Sequence, residues 1–260
     1  MDRCSRNRTQ SPLTWRDTVH RLAARAGVVV HNWPANRFEA MADALTLLRR
    51  AAYRPATVID CGANCGQFAT LVTTVFPDAT VHLIEPQAYC WPALERLVRE
   101  RGNAHLYRVA ATEPGVARVR MHRGGSTGST GAFVIAAGEP YAADLESDAA
   151  TLDQLVPSSL TRSDRALLKL DIEGHEASAL RGALRLLGLV EVVLSEVQFF
   201  NANGGLRSSF DDVAALMAAS GFQLYDFATM GARPRDKRLR QGDAIFVRRD
   251  SPLAADVSWD

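Results

Sequence analysis

The sequence predicts an α/β fold in which helices cover both faces of a doubly wound, mostly parallel sheet. From Thr57 onward, short apolar runs alternate with helical segments, which is the pattern of parallel strands joined by helices. The last two apolar runs have no helix between them, so we expect the final strand to be antiparallel to its neighbour. The length of 260 residues suits one large domain of this class with a helical addition.

The composition indicates a globular protein without a strong charge bias. Hydrophobic residues make up 47% of the chain and the formal net charge is +1, so no nucleic acid or anionic membrane is required as a partner. Four cysteines are too few for a disulfide scaffold. The arginine-rich N-terminus lacks a following apolar run, and no apolar segment approaches the roughly 18 residues that cross a bilayer. We therefore expect a cytoplasmic protein.

The first 55 residues look helical and separate from the rest. We predict helices over Trp15–Ala26 and Asn36–Ala52, with a break over Gly27–Pro34. The second helix has an apolar face, because its large apolar residues recur at steps of three and four: Phe38, Met41, Leu45 and Leu48. We expect a main domain over residues 56–250 and a tail over residues 251–260.

Seven strands and four helices are predicted in the main domain. The strands are Thr57–Asp60, Thr80–Ile84, His105–Ala110, Ala166–Asp171, Val190–Val197, Phe222–Phe227 and Asp243–Val247. The helices are Gln67–Phe76, Gln87–Arg101, His175–Leu187 and Phe210–Ser220, of which the third should have Leu180, Ala183, Leu184 and Leu187 on one face. The loop Ala228–Gln241 should join the last two strands.

Residues 112–160 interrupt the alternation and indicate an insertion. Ala117, Val119 and Met121 alternate with polar residues, as on a strand with one face in water. A run of glycine, serine and threonine follows over residues 124–131. It suits a solvated linker or a flap over a substrate site, and it is not a phosphate-binding P-loop because no lysine follows at the required spacing.

The stretch VIDCGANCGQF, residues 58–68, contains two of the four cysteines. Cys61 and Cys65 are four residues apart, whereas a redox pair favours Cys-x-x-Cys and a structural zinc site needs a second pair of ligands. Cys4 and Cys90 stand alone in the sequence. Small buried thiols are therefore the favoured interpretation, and we predict no metal site here.

The glycines of the same stretch indicate a nucleotide-like ligand. An apolar strand ends at Asp60, and Gly62 and Gly66 follow before a helix, whose N-terminus should present free N–H groups. Asn64 stands where a dinucleotide loop would have its second glycine, so the fit to a pyrophosphate is poorer. Glu85, at the end of the next strand, can accept hydrogen bonds from both hydroxyls of a ribose, which NAD sites and S-adenosylmethionine sites share.

Charged residues crowd the stretch LLKLDIEGHE, residues 167–176. Lys169 and Asp171 are two positions apart on a strand, so they share a face and should pair with each other or with a ligand. Asp171 falls at the carboxyl end of the strand, where open α/β sheets bind ligands. Glu173, His175 and Glu176 follow in the turn. A capped helix start with an internal ion pair would explain the same residues.

Taken together, these stretches resemble the FkbM-type branch of the S-adenosylmethionine-dependent methyltransferases. The resemblance covers about residues 57–248 and is carried by VIDCGANCGQF, HLIEP (82–86), ATLDQL (150–155), LLKLDIEGHEASALRG (167–182) and GDAIFVRR (242–249). It implies a seven-stranded Rossmann-like sheet, S-adenosylmethionine as cofactor, and transfer of a methyl group to a hydroxyl of a sugar, a polyketide or another secondary metabolite.

The resemblance also implies site residues. Cofactor contacts are expected at Asp60, Gly62, Ala63, Asn64, Gly66, Glu85, Pro86 and Asp171. Many methyltransferases hold the adenine with an acidic residue after the third strand. This chain has Thr112 in that region instead, and its hydroxyl or backbone is the candidate adenine contact.

His175 is the first candidate for the base that takes the proton of the acceptor, because the start of a helix favours the neutral imidazole. Asp171 is the second, and Glu173 belongs to the same cluster. Glu196, near the same sheet edge, could position substrate. A divalent metal held by His175, Asp171 and Glu173 is an alternative.

Three functions remain open from the sequence. The first is O-methylation of a small-molecule hydroxyl acceptor. The second is methylation of nitrogen, protein or RNA, for which a basic cluster is the relevant feature: Arg233, Arg235, Lys237, Arg238 and Arg240. The third is a non-catalytic module that retains the fold. We expect no nucleic-acid partner, and the sequence leaves the oligomeric state open.

Overall fold

The computed structural model describes residues 22–23, 36–124, 131–200 and 207–255. Within these ranges the strands are β1 Thr57–Cys61, β2 Thr80–Ile84, β3 Ala104–Tyr107, β4 Ala110–Ala111, β5 Arg118–His122, β6 Phe133–Val134, β7 Leu145–Ala150, β8 Leu167–Leu170, β9 Val192–Gln198, β10 Phe222–Ala232 and β11 Leu239–Arg248. The helices are α1 Arg37–Arg50, α2 Gln67–Val75, α3 Trp91–Arg101, α4 Leu152–Leu155, α5 Glu176–Arg181, α6 Leu184–Leu187 and α7 Phe210–Ala219.

Seven of the strands form one sheet in the order β10-β11-β9-β8-β1-β2-β3. The five strands from β9 to β3 pair in parallel, and β11 pairs antiparallel with both β9 and β10. The predicted fold class, a mostly parallel Rossmann-like sheet of seven strands with an antiparallel last strand, is confirmed. The carboxyl ends of β1, β2 and β8 meet at one edge of this sheet.

Helices cover both faces of the sheet because successive strand residues point to opposite sides. Val58 of β1 belongs to a core with α1, α2 and α3, whereas its neighbour Ile59 belongs to a second core with α5, α6 and α7. Both side chains are fully buried. This near-continuous apolar pattern is typical of parallel strands buried on both faces.

The helix predicted over His175–Leu187 is wrong in one respect, since it breaks after Arg181. The backbone of Gly182 lies so close to the carbonyl oxygen of Thr112 that an added Cβ would overlap it. After the break, both carboxylate oxygens of Asp153 accept from the backbone N–H groups of Arg185 and Leu186 at 2.8 Å and so cap α6. The rotation at this break leaves Leu184 68% exposed, off the predicted apolar face.

Further boundaries differ from the prediction, and the helix expected from Gln87 begins at Trp91. Much of the expected loop Ala228–Gln241 belongs to the long hairpin of β10 and β11. The residues near the tip of this hairpin do not alternate between apolar and polar, so the sequence did not indicate strands there. The strand expected over His105–Ala110 ends at Tyr107, and Ala110–Ala111 joins a different sheet.

The inserted segment forms a small second sheet in the order β4-β7-β5-β6. Val119 and Met121 of β5 face its core while Arg118 and Arg120 are exposed, as the alternation predicted. Ala117 is exposed and precedes the strand. The predicted flap over residues 124–131 lies mostly outside the described residues.

Helix α1 packs as part of the main domain and is not the separate unit expected from the sequence. Met41, Leu45 and Leu48 are at most 2% exposed and share a core with α2 and the sheet, whereas Phe38 is at the edge. Leu253, in the expected C-terminal tail, is buried in the same core. The helix predicted over Trp15–Ala26 and the break over Gly27–Pro34 lie almost wholly outside the described residues.

Among the residues that the structure describes, no helix is both long enough and apolar enough to span a membrane.

Candidate active site

One cavity of about 260 Å³ opens at the carboxyl ends of β1, β2 and β8. Its wall brings together most of the residues that the sequence placed in the site. These are Gly62, Ala63, Asn64, Glu85, Pro86, Asp171, Glu173 and His175. Asp60, Gly66 and Thr112 are not on the wall. The cavity occupies the position at which open α/β sheets bind ligands.

The loop after β1 is held by its own hydrogen bonds. The N–H groups of Gly62 and Ala63 both donate to the carbonyl oxygen of Ile84, at 3.0 and 3.1 Å. The N–H of Asn64 donates to Glu85 at 2.8 Å, and that of Gly66 donates to the carbonyl of Ala63 at 2.9 Å. These four N–H groups are therefore engaged within the protein, and this part of the loop contributes shape to the cavity.

Glycine is required at positions 62 and 66 for different reasons. Gly62 has φ +82°, and a Cβ there would overlap the backbone carbonyl of Asp171. It therefore lets the chain after β1 and the chain after β8 approach each other. Gly62 also lines the cavity, and the expectation that it makes room for a ligand stays a prediction. Gly66 has φ +89°, and a Cβ there would lie 3.1 Å from the side chain of Leu97, so this position serves helix packing as predicted.

The cysteines of the loop are small buried or half-buried thiols, and the described cysteines are not in disulfides. Cys90, which stands alone in the sequence, lies with its Sγ 3.5 Å from the Sγ of Cys65. The turn before α3 therefore packs directly against the loop after β1.

Glu85 at the end of β2 presents a buried, preorganised carboxylate to the cavity. It is 2% exposed. Its Oε2 accepts from the N–H of Asn64 and its Oε1 from the N–H of Gln87, both at 2.8 Å. Burial raises the pKa of this carboxyl, and the two N–H donors oppose that shift. Each oxygen retains a lone pair, so the group can still accept from two hydroxyls.

Asp60 lies behind the cavity and is not part of its wall. It is fully buried, and the ammonium of Lys169 lies 3.0 Å from its Oδ1. Lys169 also donates to the carbonyl oxygen of Gly62 at 2.8 Å and lies 3.6 Å from Asp171. Burial opposes the charge on Lys169, but the carboxylates of Asp60 and Asp171 raise its pKa. The predicted pairing of Lys169 with Asp171 therefore extends to a third group, and Asp60 ties the loop to β8.

Asp171 and Glu173 bring negative charge to the cavity just beyond β8. Glu173 has φ +57°, an unusual conformation for a residue with a side chain and one that concentrates at functional sites. Burial, and then the charge of Asp171, raises the pKa of Glu173 to about 7, although Arg37 opposes the shift. Glu173 can thus accept a proton near neutral pH.

His175 fits the role of base less well than the sequence suggested. Its Nε2 lies 3.1 Å from the hydroxyl of Thr112, so one ring nitrogen is engaged within the protein. Burial lowers the pKa of His175 to about 4. The imidazole is neutral at pH 7, as expected, but it is a weaker base than Glu173. Thr112, the predicted adenine contact, is 1% exposed and is not on the cavity wall.

Asp171, Glu173 and Glu196 could suit a divalent cation, since one oxygen from each lies within 4.8 Å of the others. His175, expected in the alternative metal set, is not part of this group. The guanidinium of Arg37 lies 3.2 Å from both Asp171 and Glu196. Positive charge for these carboxylates therefore comes from the protein itself.

Sequence reasoning missed Arg37 and the apolar side of the cavity. Met121, Ala132 and Val134, all from the insertion, line the wall together with Ala110 and Ala111. The sequence contains one indirect indication that a cation such as Arg37 is needed. Asp243 stands within the apolar run of β11, and a carboxylate buried there needs a cationic partner.

Comparison with known proteins identifies the family. The family model described as "Methyltransferase FkbM domain" matches residues 60–224, which is more than half of the chain. No curated protein sequence matches significantly. The structure of methyltransferase FkbM from Methylobacillus flagellatus KT is 17% identical, with a TM-score of 0.46 over 74% of this chain and 43% of that chain. This chain thus spans less than half the length of that protein.

For two other solved structures, the matched region covers most of both chains. Magnesium protoporphyrin IX methyltransferase from Synechocystis PCC 6803, with bound SAM, is 10% identical with a TM-score of 0.47 over 92% of this chain and 86% of that chain. The 1,6-didemethyltoxoflavin-N1-methyltransferase from Burkholderia thailandensis is 15% identical with a TM-score of 0.45 over 92% and 93%. From the match over residues 60–224, the chain belongs to the FkbM family of methyltransferases.

Proposed function

We propose that the protein is an S-adenosylmethionine-dependent methyltransferase that methylates a hydroxyl group of a small molecule. One observation carries the proposal. The buried carboxylate of Glu85 and the two carboxylates of Asp171 and Glu173 line the same cavity. The first can hold a ribose, and the others can receive a proton where the methyl group is transferred.

The residues present fit S-adenosylmethionine. The two oxygens of Glu85 match the two ribose hydroxyls, because each oxygen has one N–H donor and room for one more. The insertion supplies an apolar wall through Met121 and Val134, next to Ala110 and Ala111, which suits a flat heterocycle. Bound S-adenosylmethionine supplies an electrophilic methyl group on a positively charged sulfur.

The chain's own residues then have two tasks. The cavity must hold the acceptor in line with the methyl group, and such alignment can supply a large part of the rate enhancement. Glu173 takes the proton of the acceptor hydroxyl, a step that typically contributes about 10²- to 10⁴-fold. Lys169 lies 3.6 Å from Asp171 and holds that carboxylate beside Glu173.

The base favours a hydroxyl over an amine as acceptor. A neutral amine attacks through its own lone pair and loses a proton afterwards, whereas a hydroxyl must lose its proton as it attacks. The pKa of Glu173, about 7, matches the second requirement at neutral pH. The RNA alternative has less support, because Arg233 pairs with Asp236 and stacks, with Arg238, on the ring of Phe200.

The first test is binding of S-adenosylhomocysteine by calorimetry, followed by transfer from radiolabelled S-adenosylmethionine. Hexose glycosides, phenols and aliphatic alcohols should be compared with their amino counterparts. We expect binding, and transfer to a member of the hydroxyl set. Absence of binding, or transfer to amines alone, would contradict the proposal.

The second test concerns the base. Replacing Glu173 with Gln should lower kcat about 100-fold and leave affinity for S-adenosylhomocysteine within about threefold. The kcat of the wild type should rise with pH and level off above a midpoint near 7, since Glu173 must be ionised. His175→Gln should cost less than about tenfold. If His175→Gln lowers kcat more than Glu173→Gln does, His175 is the base.

A further inference from the structure

Arg37 lies far outside residues 60–224 in the sequence, yet its side chain lines the cavity. It is the first residue of α1. Its Nη2 lies 3.2 Å from the Oδ2 of Asp171, which follows β8, and 3.2 Å from the Oε1 of Glu196 on β9. The same atom lies 2.6 Å from the Oδ1 of Asp243 on β11. One guanidinium thus joins three carboxylates: one just after β8, one near the end of β9 and one in the middle of β11.

The guanidinium is firmly held. Its Nε and Nη2 bind the two oxygens of Asp243 at 2.9 and 2.6 Å, the two-pronged geometry that suits arginine and that lysine cannot copy. Asp243 is 2% exposed and also accepts from the hydroxyl of Thr229. Helix α1 is fixed in turn by buried Met41 and Leu45. The backbone of Arg37 is thus fixed by the helix and its guanidinium by Asp243, so this side chain can position other groups.

The charges around the cavity need this cation. Asp171, Glu173, Glu196 and Asp243 bring four carboxyls together. Of these four, Lys169 forms an ion pair with Asp171, at 3.6 Å, and it also binds Asp60 and the carbonyl of Gly62. The side chain of Glu196 is 6% exposed, so water stabilises its charge little. Arg37 supplies positive charge at hydrogen-bond or ion-pair distance from three of the four carboxyls.

We infer that Arg37 is a positioning residue for methyl transfer, which holds Asp171 and Glu196 in place and balances the negative charge that faces the methyl donor. The inference rests on the proposed function, because the charge balance would set the affinity of the cavity for the positive sulfonium of S-adenosylmethionine. It gives α1 a role in the chemistry in addition to its role in the core.

Binding of two ligands that differ in charge tests this role. S-adenosylmethionine carries a positive sulfonium, whereas S-adenosylhomocysteine lacks both the methyl group and the charge. Replacing Arg37 with Met should leave the carboxylates unbalanced, so the ratio of the two dissociation constants should shift at least about threefold in favour of S-adenosylmethionine. Arg37→Lys should stay within about twofold of the wild-type ratio.

Arg50→Met is the matched control. It removes an exposed arginine from the last turn of the same helix and should leave the ratio unchanged. Calorimetry with each ligand at one pH and salt concentration gives the ratio, and thermal unfolding shows that each variant is folded. The neutral ligand serves as an internal control, since a purely structural defect weakens both ligands equally.

The outcomes decide the inference. An unchanged ratio in folded Arg37→Met, or equal loss of both ligands with a lower unfolding temperature, overturns it. If Arg37→Met does not fold, Arg37→Gln replaces it, and failure of both to fold shows a structural role and also overturns it. If the wild type binds neither ligand, the proposed function fails first and the inference with it.

Discussion

The two sides of the cavity are built in different ways. On one side, the loop after β1 and Glu85 are joined mainly by backbone hydrogen bonds between residues close in sequence, such as Asn64 and Glu85, 21 positions apart. On the other side, side chains form ion pairs between distant parts of the chain, and Arg37 and Asp243 are 206 positions apart. The first side joins two neighbouring strands that follow each other along the chain, whereas the second joins elements that are distant in the sequence.

This difference predicts different responses to mutation. A group satisfied by backbone N–H donors keeps its partners when a neighbouring side chain changes. A group satisfied by one other side chain is left buried and unpaired when that partner is removed. Removing a polar side-chain group should therefore act mainly on ligand affinity on the first side and cost more stability on the second.

The largest effect is expected for Lys169→Met, at the junction of the two sides. Lys169 is 3% exposed and pairs with fully buried Asp60. Its removal leaves a buried carboxyl without its cation, so the free energy of unfolding should fall by about 3–5 kcal/mol in urea denaturation. The double variant with Asp60→Asn should regain part of the loss. A loss of under about 1 kcal/mol in the single variant would show that Asp60 is already neutral.

Gly62→Ala should have the next largest effect and would show that the local side depends on backbone contact. An alanine there would have an unfavourable positive φ, and its Cβ would overlap the carbonyl of Asp171. We therefore expect the free energy of unfolding to fall by about 3 kcal/mol. Gly102→Ala is the matched control. It has φ +74° and no atom within 4 Å of an added Cβ, so it should cost only about 1–2 kcal/mol. Equal losses, measured by urea denaturation, would mean that β1 and β8 can move apart.

Glu85→Gln should have the smallest effect on stability and act chiefly on affinity. The amide offers one acceptor oxygen and turns its NH₂ group toward a backbone N–H donor, so the dissociation constant for S-adenosylhomocysteine should rise about 10- to 100-fold. Glu95→Gln, a change in an exposed carboxylate paired with Arg108, is the control. Calorimetry that finds wild-type affinity in Glu85→Gln would remove Glu85 from the ligand site.

The same distinction explains how much could be predicted from the sequence. The parallel sheet, the loop over residues 58–68 and Glu85 follow from local patterns of apolar residues and glycines, and the structure places them together. The break at Gly182 could not be predicted, because it results from contact with Thr112, 70 positions earlier. Arg37 was missed for the same reason, since its partners Asp171, Glu196 and Asp243 are all distant from it in the sequence.

The choice of base shows a further limit. Sequence position put His175 and Glu173 in one turn but could not show how each is buried. Burial lowers the pKa of His175 to about 4 and raises that of Glu173 to about 7, so the same cause acts oppositely on a base and an acid. Proximity in sequence was therefore a sound guide to the cluster and a poor guide to the roles within it.

The break at Gly182 also bears on how this protein can diversify. The inserted sheet leaves the domain at Thr112 and returns at Thr151, and both residues contact Gly182. The strands beside them pair in parallel, Ala111 opposite Ala150. Because its two ends meet at one point, the segment between them can lengthen or shorten at little entropic cost, and the main sheet stays intact. The segment between these two threonines is therefore the part of the fold best placed to change in length.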